Sequence, residues 1–187
     1  MSLTPPEDGV PEVPDTPLAR AVVEIEVHVA TSGWDQPAQL FALVDTADLI
    51  RREPALASVM GLDPDSGALT SVQQDQLPSE QSLERALESI SWPAEVVGCA
   101  AVVERIVLPP EVDAEIPDDP EAAAAFAAAH PARQELRLAA GTTRDGATFC
   151  AMRFRSHDHD SLVVTGEDLV PGLLQRLQAT LDPDPGR

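Results

Sequence analysis

The polar residues best placed to do chemistry are those that interrupt apolar runs. Arg137 alternates with Leu136 and Leu138, and Arg153 and Arg155 alternate with Cys150, Met152 and Phe154. The period of two puts all three arginines on the polar face of one hairpin. Guanidinium groups gathered there suit a carboxylate or phosphate ligand, which they bind through paired N–H donors. The competing reading is internal neutralisation, by Glu135 across the hairpin and by the acidic run from Glu111 to Glu121. Glu104-Arg105 breaks the apolar run from Val96 to Leu108. One of the two must leave the core face while the other is buried only if paired. Glu104 is then either a carboxylate tuned by burial or part of a strand end emerging into solvent. Trp34, within Gly33-Trp34-Asp35-Gln36-Pro37, is either an anchor for a partner or an indole closing a helix-to-strand corner. The expected ligand-binding set is therefore Trp34, Glu104, Arg105, Arg137, Arg153 and Arg155, with no catalytic residue assigned.

Metal and nucleophile chemistry find less support. In His157-Asp158-His159-Asp160 the two imidazoles are spaced i, i+2, so on a strand both would face one side and share an ion. A zinc site needs three or four ligands, and no third His or Cys lies nearby, so His157 and His159 are weak candidates beside a solvated strand end. Cys99 and Cys150 sit in apolar runs and read as buried free thiols. Pairing Cys150 with His157 as nucleophile and base carries no family signature. The chain has no P-loop, G-x-G-x-x-G, G-x-S-x-G, H-E-x-x-H or CxxC. No cofactor is expected, and a binding protein is favoured over an enzyme.

Composition narrows the partners. The 187 residues carry a formal charge of −20, so the surface field opposes a phosphate backbone or an anionic bilayer. Neither nucleic acid nor membrane is expected as partner. The first residues form neither a basic nor an apolar block, and no apolar run reaches the ~18 residues needed to span a bilayer, so the expected location is the cytoplasm. All twelve basic residues are Arg, which with abundant Ala and Pro fits a high-GC coding bias. Aromatics make up 3% and Tyr is absent, leaving Ala, Val and Leu to fill the core.

The elements that must position these groups follow from periodicity. Residues 1–16 are Pro-rich and acidic and read as a disordered arm, residues 17–181 as one domain, and 182–187 as a disordered tail. Thr16-Pro17 starts a helix with Leu18, Val22, Ile25 and Val29 on one stripe and Glu24 and Glu26 off it, and Gly33 ends it. Leu40–Val44 reads as a buried strand, 47–60 as helix interrupted at Pro54, and Leu69–Gln73 as a weak strand. Ser79 caps a helix carrying Leu83, Leu87 and Ile90. Val96–Leu108 is the strongest strand, and Asp119-Pro120 starts a short Ala-rich helix ending at His130-Pro131. A two-residue turn at Asp145-Gly146 would mix the hairpin's faces. A three-residue loop, Arg144 to Gly146, pairs Leu138 with Met152 and Leu136 with Phe154, with Gly146 left-handed. A final helix from about Asp168 carries Leu169, Leu173, Leu174, Leu177 and Leu181.

Several segments together carry a resemblance. They are Gly33-Trp34-Asp35-Gln36-Pro37 leading into Leu40–Thr46, Val102-Val103-Glu104-Arg105 leading to Leu108-Pro109-Pro110, and Ala129-His130-Pro131 with Arg137-Leu138 and Arg144-Asp145-Gly146. Leu169-Val170-Pro171-Gly172-Leu173 completes the set. The chain resembles a family of uncharacterised proteins of similar length from high-GC Gram-positive bacteria. The resemblance implies a bacterial cytosolic protein and assigns no activity.

The expected fold class is α+β: a two-layer protein with an antiparallel or mixed sheet of four to five strands and helices packed mainly on one face. Two functions from different classes fit. One is an acidic cytosolic binding or adaptor module with a protein partner or a homodimer, similar to small acidic secretion chaperones in size, charge and element order only. The other is a small-molecule enzyme or sensor with an Arg-lined pocket between sheet and helices.

Overall fold

A computed structural model describes residues 13–75, 77 and 82–182. The disordered arm expected over 1–16 (save its last four residues), the tail beyond Asp182 and the Ser79 cap fall outside these residues.

The continuous apolar run from Val96 to Val103 demands burial on both faces of its strand, and the fold supplies it. Among the described residues, six strands form one wholly antiparallel sheet: β1 (Gln39–Asp45), β2 (Leu69–Gln73), β3 (Val96–Val107), β4 (Gln134–Thr143), β5 (Thr148–Phe154) and β6 (Val164–Gly166), in the order β2-β1-β3-β4-β5-β6. The expectation of four to five strands misses β6, whose three residues follow two short 3-10 turns and end on glycine. So short an edge strand has too few positions to show a period of two.

Helices cover both faces, so the domain has three layers rather than two. Helix α1 (Pro17–Ala30) starts where Thr16 Oγ1 accepts the N–H of Ala19. Its Leu18, Val22, Ile25 and Val29 pack on Phe41, Leu43, Ala100, Val102, Ala139 and Ala151. The helix lies so close to β4 that a Cβ added at Gly141 would meet Val22 Cγ2 at 2.6 Å. The opposite face carries Leu40, Ala42, Cys99, Ala101, Leu138 and Met152 beneath α4 (Leu83–Leu87) and α6 (Pro171–Leu181). Small side chains in the central strands let both helical layers approach.

Between β1 and β2 lie α2 (Thr46–Arg52) and α3 (Pro54–Met60), broken where Pro54 is expected to break them. The Ala-rich segment forms α5 (Pro120–Ala129), capped by Asp119. The β4–β5 hairpin has the expected register, Leu138 opposite Met152 and Leu136 opposite Phe154, with Gly146 at φ 88° closing the three-residue loop. No helix among the described residues is long and apolar enough to cross a membrane.

Candidate functional site

Directly opposed residues on neighbouring strands share a face. Glu104 of β3 stands opposite Arg137 of β4, and Arg137 opposite Arg153 of β5. This charged row crosses the α1 face just past the apolar stripe, where the last turn of α1 and the loop after it close over the sheet.

Arg153 is 2% exposed and Glu26 1%. The guanidinium grips the carboxylate with both forks, Nε to Oε1 at 2.6 Å and Nη2 to Oε2 at 2.8 Å. It also donates to Asp160 Oδ1 at 2.7 Å and Asp158 Oδ1 at 3.2 Å. Its hydrogen bond to Glu26 holds Arg153 still more firmly in the charged form. Placing Glu26 off the stripe is therefore corrected. It lies four residues after Val22 and three before Val29, a spacing that puts it on the buried side.

Arg137, 1% exposed, donates to the Gly33 carbonyl and to Glu104 Oε1 at 3.2 Å. Its Nε is buried without a hydrogen-bond partner among the described residues. The indole of Trp34 covers the guanidinium, 4.4 Å from ring centroid to Cζ, with Arg155 at 5.5 Å from the same ring. Trp34 Nε1 donates to Asp158 Oδ2 at 3.0 Å, which holds the Asp158 carboxyl below the ordinary value of 3.8. Arg155 grips Asp35 through both carboxylate oxygens, at 2.9 and 3.0 Å, and reaches Glu135 at 2.7 Å. The same Arg155 contact lowers the pKa of Asp35.

The loop after α1 is shaped for this arrangement. Gly33 and Asp35 both take left-handed backbone, at φ 78° and 64°. The backbone N–H groups of Asp35 and Gln36 then point at the Glu104 carboxylate, at 2.8 and 3.3 Å. Glu104 is thus the internal occupant of a cradle made by two amides and one guanidinium.

Five of the six expected binding residues, Trp34, Glu104, Arg137, Arg153 and Arg155, come together in this cluster. Arg105 does not. It lies on the other face of β3 and pairs with Glu84 of α4. The arginines are not on an exposed polar face, because α1 and its loop bury two of them. Glu135 does contribute to their neutralisation, but the carboxylates that face them are otherwise Glu26, Asp35, Glu104, Asp158 and Asp160, not the run from Glu111 to Glu121. Among the described residues, three guanidiniums face six carboxylates, a formally anionic balance that opposes a further anion. A shallow depression of about 160 Å³ beside it is lined by Trp34, Asp35, Glu104, Arg105 and Glu135, among others.

His157 ends one 3-10 turn and His159 precedes another, so neither sits on a strand and the same-side argument for a shared ion fails. Asp158 and Asp160, between and beyond them, turn toward Arg153 instead. No group of three or more metal-ligating side chains is found among the described residues. Burial pushes the Cys99 thiol up to about 11 and raises Cys150 as well, leaving both poor nucleophiles at neutral pH.

Fold and site together define an antiparallel α+β protein whose most conspicuous charged residues are matched to one another inside the structure. Residues 18–182 match the PPA1309-like protein family, and the chain belongs to it. The family description names no activity, in keeping with the resemblance drawn from sequence. No curated protein and no solved structure matches the chain.

Proposed function

We propose that this protein is a binding or adaptor module acting on another protein. The observation that carries this reading is helix α3, which is amphipathic in reverse. Its Leu56, Val59 and Met60, spaced i, i+3, i+4, form one apolar stripe, yet they are 48%, 86% and 48% exposed. Only Ala57 is turned inward. A stripe of that spacing normally faces a core, and contiguous exposed apolar surface marks an interaction site. Arg153 and Arg155 support the same reading, since both donate to carboxylates of the same chain.

The test is a photo-crosslinking residue placed at Val59 in the cells that make the protein. The expected result is a discrete adduct with a second protein, lost when Leu56→Asp is added. An adduct absent at Val59 while the variant remains folded would remove the reading. A dimer of the chain with itself as the sole adduct would convert it to self-association.

A small-molecule sensor is the second reading, favoured by the buried, unpartnered Nε of Arg137 beneath Trp34. Retention of a stoichiometric metabolite through native purification, released by Arg137→Met, would support it.

A further inference from the structure

The two edges of the sheet are treated differently. β6 exposes only three residues, and Glu167 and Asp168 follow it at once. β2 is an edge of five residues, Leu-Thr-Ser-Val-Gln, in unbroken register with β1. It has no charge, no proline and no bulge, the devices by which edge strands ordinarily refuse a partner.

The direction of its free hydrogen-bonding groups follows from the ladder. Gln74 donates to the Leu40 carbonyl at 2.8 Å, and Ala68 accepts from Thr46 at 3.1 Å. With a period of two, Thr70 and Val72 also point at β1. The N–H and C=O groups of Leu69, Ser71 and Gln73 therefore point away from the sheet, and they meet no partner strand among the described residues. Val72, 41% exposed, offers an apolar contact on one face of such an addition.

Charge selects the occupant. No basic residue occurs between Arg52 and Arg85. Exposed Asp63 and Asp65 precede the strand, and exposed Asp75 follows it. A second copy of this chain laid antiparallel on β2 would set these acids against their own images, between molecules of charge −20 each.

We infer that β2 takes an added antiparallel strand from a partner protein, an extended β-forming segment flanked by Arg or Lys. This rests on the protein-binding reading above and specifies how the partner is held. Main-chain hydrogen bonds to Leu69, Ser71 and Gln73 supply affinity, and the flanking aspartates supply selectivity.

The test uses the whole chain and two fluorescent peptides, Arg-Thr-Val-Thr-Val-Thr-Arg and its Glu-flanked counterpart, followed by polarisation. The Arg-flanked peptide is expected to bind at least about tenfold tighter, and the difference to shrink with added salt. Binding should protect the Ser71 and Gln73 amides from hydrogen exchange. Ser71→Pro and Gln73→Pro remove outward N–H groups while sparing the bonds to β1, so each should fold and lose about tenfold or more in affinity. Equal binding of the two peptides, or affinity unchanged in both proline variants, would overturn the inference. So would absent protection at Ser71 and Gln73, which is read on the unmutated protein and needs no variant to fold. Concentration-dependent dimers abolished by Ser71→Pro would assign the edge to a second copy and equally overturn it. A cellular adduct at Val59 that survives Ser71→Pro would leave the protein-binding reading standing and remove this one alone.

Discussion

Replacing Arg153 with methionine tests the charged row most directly. The substitution keeps a long apolar side chain but leaves Glu26, 1% exposed, without the guanidinium that grips both its oxygens. Breaking a buried pair from one side costs about 3–5 kcal/mol, because the surviving charge stays out of water uncompensated. The reverse change, Glu26→Gln, is milder. Arg153 keeps Asp160 at 2.7 Å and Asp158 at 3.2 Å, so the expected loss is that of charge-assisted bonding, about 2 kcal/mol. The double variant Glu26→Leu/Arg153→Met removes both charges and should be more stable than Arg153→Met alone, giving a coupling energy of at least about 2 kcal/mol. For a domain of this size Arg153→Met should lower Tm by roughly 10 °C. Urea titration at neutral pH is the assay, since guanidinium chloride would itself screen the charges under study. An Arg153→Met cost below about 1 kcal/mol, or one smaller than that of Glu26→Gln, would refute the asymmetry and with it the claim that Glu26 depends on this one partner.

Two further outcomes follow from the geometry. Alanine at Gly98 would place a Cβ 2.6 Å from the Thr142 backbone oxygen, whereas alanine at Gly141 meets a Val22 methyl at the same distance. A strand backbone held on both sides yields less than a helix side chain, so Gly98→Ala should cost about 3 kcal/mol and Gly141→Ala about 1, by thermal or urea unfolding. The second concerns acid. Asp35 is held below 3.8 chiefly by Arg155, and Asp158 chiefly by the Trp34 indole. Their folded values lie below the unfolded ones, so this stabilisation is complete above about pH 4 and is lost as pH falls through the depressed values. The indole N–H resonance of Trp34 should therefore shift and broaden only below about pH 4, while that of Trp92, bonded to the Thr180 hydroxyl, stays in place. Simultaneous movement of both resonances would mean global unfolding rather than release of the loop.

Where neighbours in sequence fix the answer, the sequence was legible. Thr16 and Asp119 announce their helices, Pro54 its break, and the faces of the hairpin admit only the three-residue loop that is present. The layer count was less accessible. An apolar run such as Val96–Val103 does imply burial on both faces, but which helices supply the cover depends on contacts between residues far apart in sequence. Trp34, Glu104, Arg137, Arg153 and Arg155 each stood out singly, as a polar or aromatic interruption in an apolar setting, but only the three arginines were expected together. Most of their partners were not anticipated. Asp158 and Asp160 read as polar residues of a solvated strand end beside two histidines, and Glu26 as off the apolar stripe, because a carboxylate shows its partner only once strand and helix are docked.

The placement of the cluster explains why so acidic a chain buries charge at all. Over Leu18–Ile25 the helix meets the sheet through apolar side chains, whose contacts are non-directional. Beyond Ile25 the contact changes character. Glu26 fits one guanidinium with both forks, Trp34 lies over another, and Asp35 is fixed by a third, each with directional geometry that a shifted helix could not reproduce. The ionic row adds directional contacts to an apolar stripe that supplies most of the burial, and the expectation is that the row sets the register of α1 and its loop on the sheet. A variant in which Glu26, Arg153 and Arg137 were all replaced by aliphatic residues should keep its secondary structure and exchange the Asp35 and Gln36 amides, which donate to Glu104, faster than the unmutated protein. Unchanged exchange at these amides would assign the register to packing alone.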